Sequence, residues 1–355
     1  MNVSWSKPDF TEEEVSAGID SLRNYIGANG PNVELFEKEL AQVVGSKYAI
    51  GVNNGTSALL VTLMCMREKY KKKEKFCVGV PSFTFIASAN SSKEIFGDVK
   101  LLDCDLNSWN ITSDNIKEEI DLLMSVDVGG LSCDYDNLKR SNIPIIADSA
   151  ESLGSEYKGK LVGTQVPFHC FSLHRAKIVS CGEGGIITTN DEELYDLARS
   201  FTNHGYSKVK KEHEYIHSNF GLNFRMNDIQ AAIARVQLKK LPKYVQHRNK
   251  IAQIYKTELA NLFKFQEFDE QVCRNNYFFF GVLTDKRDEL LRLLLENKIE
   301  VKTWTAVHKQ TIWNTDNNLF NASEISDKII LLPIHNTITE NEVAYVIDTL
   351  KDYFQ

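Results

Sequence analysis

Nowhere in the 355 residues does an apolar run approach the roughly 20 residues that a membrane-spanning helix needs, and Met1–Lys7 is too polar for a secretory leader. No membrane association is expected. Basic residues are outnumbered, 41 Lys and Arg against 48 Asp and Glu, for a formal charge of -7. A nucleic-acid partner would call for a basic footprint, so none is expected; a small anion needs only a local cluster of donors. The seven cysteines, at 65, 77, 104, 133, 170, 181 and 273, form no close pair. An odd, scattered set in apolar runs excludes a disulfide framework and points to reduced thiols in a cytoplasmic setting. Repeats and low-complexity stretches are missing as well. So is any G-x-G-x-x-G, and the glycines at 182, 184 and 185 follow a strand without opening a helix, which sets aside a dinucleotide fold.

What is present is organised around the stretch from Ile143 to Thr189. The apolar strand Ile143–Ala147 ends on a carboxylate, Asp148. A second strand-like run, Phe168–Leu173, leads into His174-Arg-Ala-Lys177, and a glycine-rich turn then feeds the β-branched run Ile186–Thr189. A carboxylate at one strand end and a lysine after another are the two side chains that a pyridoxal phosphate enzyme requires. The lysine carries the cofactor aldehyde as a Schiff base, and the carboxylate keeps the ring nitrogen protonated so that the ring can draw in electrons.

The remaining elements supply a frame for that pair. Thr11 and Glu14 form a capping box for a first helix, and Tyr48–Val52 is the first strand of the main sheet. Asn53-Asn-Gly-Thr-Ser57 stands directly before a helical run. Gly55 permits the tight turn, and Thr56 and Ser57 bring hydroxyls to a helix end with unpaired N–H groups, a natural phosphate seat. Taken alone, the same residues read first as an ordinary helix cap. Phe76–Val80 is a strand after which Phe85 falls at the sheet's ligand-binding edge, either as a ring platform or as core. Strands alternating with helices predict an α/β fold with a mostly parallel sheet, the strand ending at Asp148 being central. Further expectations are a helix over 115–120, a charged loop over 208–214, a break at Pro242 and a strand over 277–283. Residues 1–242 would form the large domain, with the N-terminal helix able to pack on the small one, and 243–355 a smaller α+β domain.

These stretches together resemble the DegT/DnrJ/EryC1/StrS family of sugar aminotransferases. The matching pieces are Asn54–Leu59, Pro81–Phe85, Asp148–Glu151, Phe171–Lys177, Gly182–Gly185, His204-Gly205, Gly221–Met226, Gln230–Ala232 and Leu332–His335, in the family's order. The resemblance implies the type I aspartate-aminotransferase fold, with a seven-stranded large-domain sheet, and pyridoxal 5'-phosphate as cofactor, passing through pyridoxamine phosphate. It makes Lys177 and Asp148 the catalytic residues. Gly55, Thr56, Ser57 and Ser172 would hold the phosphate, Phe85 would stack on the ring, and Asn223 would reach across the interface of a homodimer that shares its active sites. Glu151 stands where many members have Gln or His near the phenolic oxygen, and an acid there resembles the perosamine-synthase type. The implied reaction is transfer of an amino group from L-glutamate to a nucleotide-linked 4-keto-6-deoxyhexose. A 3-keto sugar nucleotide and a non-catalytic sensor or scaffold are the alternatives.

Arg225, Lys302 and His308 are candidate donors for the nucleotide-diphosphate ketosugar, Lys302 being alternatively a solvated surface residue, and Trp304 and Trp313 could stack on it or equally be small-domain core. His174 lies three residues before the lysine and is a neighbour of the site or a packed residue, not its base. His213-Glu-Tyr-Ile-His217 spells H-E-x-x-H, but a lysine-rich loop precedes it and Gly221 follows, with no third ligand nearby, so no metal is expected.

Overall fold

A computed structural model describes residues 1–28, 30–206, 216–314 and 318–354. The charged loop expected over 208–214 and the His213-Glu214 half of the H-E-x-x-H pattern lie outside the described residues. Helices α1 (Glu12–Asn24) and α2 (Pro31–Val44) precede the first strand, β1 (Tyr48–Val52). Then follow α3 (Gly55–Lys69), β2 (Cys77–Pro81), α4 (Ile86–Phe96), β3 (Asp98–Leu102), β4 (Leu122–Val126), α5 (Tyr135–Lys139) and β5 (Ile145–Asp148). A short hairpin of β6 (Glu156–Tyr157) and β7 (Lys160–Leu161) leads to β8 (His169–Ser172), β9 (Gly185–Thr189) and α6 (Glu192–Thr202). The helix α7 (Asp228–Leu259) joins this part to β10 (Lys264–Phe265), β11 (Cys273–Arg274), β12 (Phe280–Leu283), α8 (Arg287–Glu296), α9 (Phe320–Lys328), β13 (Ile329–Leu332) and α10 (Glu340–Phe354).

Seven strands form the main sheet in the order β1-β9-β8-β5-β4-β2-β3. The run from β8 to β3 is parallel, while β9 pairs antiparallel with both β8 and β1. β5 is therefore the middle strand, with Ile146 and Ala147 fully buried between layers of helices. A second, antiparallel sheet of β10, β12 and β13 carries its own core, in which Val282, Ile330 and Leu332 meet Leu290 and Leu294 of α8 and Val343 and Ile347 of α10. This is the type I fold, a large sheet domain and a smaller α+β one.

Three local expectations are corrected. α7 does not break at Pro242; it runs unbroken through it for 32 residues. Leu238, Leu241, Tyr244 and Val245 are all buried, and that packing on either side of the proline outweighs its missing N–H. The helix over 115–120 shrinks to a single turn, Ser113–Asn115, and the strand over 277–283 starts only at Phe280. The side-chain oxygens of Asn275 and Asn276 accept from the N–H groups of Tyr277 (2.6 Å) and Phe278 (2.9 Å), drawing those residues out of the ladder.

The capping box at Thr11 forms, and Glu14 does more than cap α1. Its second oxygen accepts from Gln237 (2.8 Å) and Lys240 (2.6 Å), fastening α1 to the first half of α7. Burial alone would raise the Glu14 carboxyl, but Lys240, Thr11 and Gln237 together hold it at about 2. Ahead of α1, Val3 exchanges backbone hydrogen bonds with Lys298 (3.0 Å) and Glu300 (2.9 Å) and sits in the core of the smaller domain.

Directly behind Asp148 lies a buried polar chain. His169 Nε2 accepts the N–H groups of Gln165 (3.1 Å) and Val166 (3.3 Å), which places its proton on Nδ1. Nδ1 donates to Ser149 Oγ (2.8 Å), and Ser149 donates to Asp127 (2.8 Å), which also accepts from Ser152 and Tyr135. Burial pushes the His169 imidazole down from 6.5 to about 3. A depressed folded value means that the stabilisation is whole above the unfolded value near 6.5 and is lost as the pH falls toward 3. Urea unfolding should therefore show stability falling from pH 6.5 to pH 4, by on the order of 3 kcal/mol from this group. His169→Gln should start less stable at pH 7 and fall less steeply. Burial pushes the Asp127 carboxyl upward and acts in the opposite sense, so comparing wild type with this variant isolates the histidine.

Candidate active site

The sheet register brings the expected residues to one edge. Ser172 at the end of β8 pairs with Gly185, and Gly185 pairs with Val52 at the end of β1. Asp148, at the end of β5, pairs with Cys170 one strand away. The carboxyl ends of β1, β8 and β5 and the N-terminus of α3 thus face the same crevice, as parallel strands feeding helices dictate.

At the α3 N-terminus Asn54 is the cap, its Oδ1 accepting from Ser57 N (2.8 Å). The approach of the chains leaves room for glycine alone. A Cβ on Gly185 would lie 2.4 Å from the carbonyl oxygen of Asn54, and one on Gly55 would lie 2.9 Å from Ser172 Cβ. The result is a cup lined by first-turn N–H groups and the side chains of Thr56, Ser57 and Ser172. Among the described residues the hydroxyls of Thr56 and Ser57 have no protein partner. An anion is the group such a cup suits.

Asp148 is 6% exposed; its carboxylate accepts from Ser88 Oγ (2.6 Å) and Ala150 N (3.1 Å). Burial pushes its pKa up, against Ser88, the Ala150 N–H and Lys177, which pull it down. Glu151, also buried, accepts from Gly129 N (2.8 Å) and faces Lys177, with 3.5 Å between carboxylate oxygen and Nζ. Burial raises this carboxyl too, with Lys177 the largest opposing influence. Lys177 follows the tight turn after β8, its N–H bonded to His174 O (2.8 Å), and its Nζ lies 4.0 Å from the centre of the Phe278 ring. Phe85, the cap residue of α4, leaves its ring 61% exposed beside Trp304, with 6.2 Å between ring centres. A large apolar ring bare at a sheet edge is a platform awaiting a flat partner.

The donor set fits pyridoxal phosphate part by part: an anion cup, an exposed ring platform, a buried carboxylate for a cationic ring nitrogen and a lysine beside the buried Glu151. The chain matches the family model for the DegT/DnrJ/EryC1/StrS aminotransferase family over residues 8–351. It belongs to that family. It is an enzyme, an aminotransferase whose cofactor is pyridoxal phosphate. Over 98% of its length it is 29% identical to the GDP-perosamine synthase of Escherichia coli O157:H7, covering 97% of that protein. It is 27% identical to the UDP-4-amino-4,6-dideoxy-N-acetyl-beta-L-altrosamine transaminase of Campylobacter jejuni, covering 98% of this chain and 96% of the relative. The sugar aminotransferase Spr1654 of Streptococcus pneumoniae, solved in a PLP form, shares the fold at a TM-score of 0.91 and 24% identity, over 99% of this chain and 98% of that one. The similarity thus takes in several 4-amino-dideoxy-sugar enzymes and is not confined to the perosamine type.

Other candidates fall in different places. Arg225 bridges to Val52 beside the cup and donates Nε–H to Asn223 Oδ1 (2.9 Å); Asn223 itself is exposed. Lys302 is exposed on a cleft of about 330 Å³ that it shares with Trp5, Phe85 and Trp304. His308 is 7% exposed with both ring nitrogens engaged, Nδ1 by Ser82 (2.7 Å) and Nε2 by Ser323 (2.8 Å). It has no nitrogen left to offer a ligand. Trp313 bonds Asn90 (2.7 Å). His174 is partly exposed near Glu183 (3.8 Å). His217 Nδ1 bonds the carbonyl of His204 (2.9 Å), and among the described residues no cluster of three or more His, Cys, Asp or Glu could hold a metal. No described helix is long and apolar enough to cross a membrane.

Sequence reasoning missed three contributors. Ser88, in the first turn of α4, could have been suspected from its position three residues after Phe85. Gly129 lay in an evident glycine turn, but nothing local said that its N–H would meet a carboxylate. Phe278 sits a hundred residues from Lys177 inside an apolar run, and no local pattern marks it.

Proposed function

We propose that the protein transfers the amino group of L-glutamate to C4 of a nucleotide-linked 4-keto-6-deoxyhexose, giving a 4-amino-4,6-dideoxy sugar nucleotide and 2-oxoglutarate. The observation that carries the reading is the buried Asp148 and Lys177 facing one crevice, with an acid, Glu151, in place beside the lysine. Both relatives named above act in 4-amino sugar chemistry, which supports the 4-position.

When bound, pyridoxal phosphate supplies the aldehyde that exchanges amines and the ring that accepts the electrons released with a proton. The chain does the rest. The α3 N–H groups with Thr56, Ser57 and Ser172 hold the phosphate, and Phe85 supports one ring face. Asp148 keeps the ring nitrogen protonated, a negative charge already desolvated and needing no reorganisation. Lys177 Nζ takes the α-proton of glutamate in the first half-reaction and delivers a proton to sugar C4 in the second. Arg225 and Lys302 are the donors for the diphosphate.

Two subunits complete each site in this reading, with Asn223 of one reaching the phosphate cup of the other. The exposure of Phe220 (98%) and Leu222 (58%) beside it supports a covered surface in the working enzyme.

The test is a panel of GDP-, UDP- and dTDP-linked 4-keto-6-deoxy sugars, together with a 3-keto counterpart, each supplied with L-glutamate. Formation of 2-oxoglutarate identifies the substrate, and NMR of the product locates the amine. An amine at C4 is expected; selective turnover of the 3-keto sugar would overturn the assignment.

A further inference from the structure

Arg248 is 2% exposed in the middle of α7, and among the described residues no carboxylate pairs with it. Burial pushes its guanidinium down to about 9. An uncompensated buried cation is costly, and an apolar side chain of similar volume would fill the place without that cost. Its bonds show what the charge is used for. Nη1 donates to the carbonyls of Tyr277 (2.9 Å), Phe278 (3.1 Å) and Ile334 (3.0 Å), and Nε donates to Asn336 Oδ1 (2.8 Å).

Both branches end at Lys177. Through one, Arg248 holds the carbonyl side of Phe278. The N–H of Phe278 is fixed by Asn276, whose Nδ2 also bonds the carbonyls of Glu151 (2.8 Å) and Leu153 (3.0 Å). Tyr277 is kept at φ +52, a conformation that side chains rarely adopt, and this turn sets the Phe278 ring over Lys177 Nζ. Through the other branch, Asn336 Nδ2 donates to the carbonyl of Ile178 (2.9 Å), the residue after the lysine. A lysine has four side-chain torsions to restrain before its amine stands where it must react.

We infer that Arg248 is a positioning residue for Lys177, acting on the amine through Phe278 and on the backbone through Asn336. Among the described residues, all of Arg248's bonds go to Tyr277, Phe278, Ile334 and Asn336, none of them in the anion cup or the ring platform. The inference rests on Lys177 being the residue that captures the cofactor.

The test compares wild type, Phe278→Leu, Arg248→Lys and the double variant as apoproteins. Capture of pyridoxal phosphate is followed by the growth of yellow colour, and the affinity for pyridoxamine phosphate is measured separately. The latter has no aldehyde to react with a lysine, so it reports the phosphate cup and ring seat alone. Arg248→Lys keeps the charge and removes the multiple clamp, so it tests geometry. Each single variant should capture roughly tenfold more slowly, a modest part of what misplacing a reacting group by about 1 Å can cost. The double variant should be no slower than Arg248→Lys alone, because that variant already releases Phe278 along with the Asn336 branch. Pyridoxamine phosphate affinity should not change. Unchanged capture in Phe278→Leu or in Arg248→Lys overturns the inference, as does a parallel loss of pyridoxamine phosphate affinity, which would mark a merely structural role. If Arg248→Lys shows no cooperative melt, Asn336→Ala cuts the other branch and carries the same expectation. Borohydride reduction and peptide mapping of the wild type separate the two layers. Label at Lys177 upholds the underlying reading whatever the variants do, and label elsewhere overturns both.

Discussion

Lys177→Ala abolishes turnover in both half-reactions while leaving the protein folded; that is the expected result, and it carries the largest effect. The side chain is at the end of a tight turn, 15% exposed, with Glu151 and Phe278 as its neighbours. No other amine shares that position among the described residues. In the proposed roles, the variant removes at once the group that holds the cofactor and the base that moves the proton, and general-base removal alone costs about 10²–10⁴-fold. Losses beyond that range are expected, because each half-reaction needs the amine. Single-turnover assays with L-glutamate, and in reverse with an amino sugar nucleotide, measure the two separately. Pyridoxamine phosphate should still bind, since the α3 cup and Phe85 are untouched. Residual turnover near the wild-type rate in either direction would place the base elsewhere.

Asp148→Asn is the second large effect and has a different character. Asparagine matches the carboxylate in shape and can keep a bond to the Ala150 N–H and to Ser88, so the fold and the cofactor's seat should survive. What disappears is the buried negative charge. Desolvation already pushes this carboxyl up, and a protonated ring nitrogen would hold it ionised. Without the charge the ring nitrogen loses its proton and the electrons released with the α-proton have a poorer sink. Loss of one preorganised electrostatic partner costs about 10²–10³-fold in kcat, or about 2.7–4 kcal/mol. The fall should be in kcat with KM for glutamate little changed, since in the proposed role Asp148 meets the ring nitrogen and not the substrate. A loss confined to KM would contradict this role.

Much of this architecture was legible because local and global signals agreed. The strand ending on Asp148, the glycine-bearing cup before α3 and the turn to Lys177 each combine an apolar run with a residue type that its chemistry demands. Their order along the chain placed them at one sheet edge. Pro242 misled because helix propensity is local, whereas α7 is held by buried residues on both sides of the proline. The run Tyr277–Phe279 read as strand because it is apolar, while the amides of Asn275 and Asn276 capture its N–H groups. His308 shows the limit for side chains: its ring type suggested a donor, and only placement beside Ser82 and Ser323 shows both nitrogens taken. Phe278 and Arg248 were out of reach for the same reason, since their roles exist only where three distant segments meet.

The most direct test of the central claim is the visible spectrum of the protein loaded with pyridoxal phosphate, recorded before and after L-glutamate. The account predicts a yellow protein that bleaches as glutamate is added, with one 2-oxoglutarate formed per site. It also predicts that the borohydride-fixed label of the yellow form maps to Lys177. A protein that stays colourless with added cofactor, or one whose colour ignores glutamate, would contradict it.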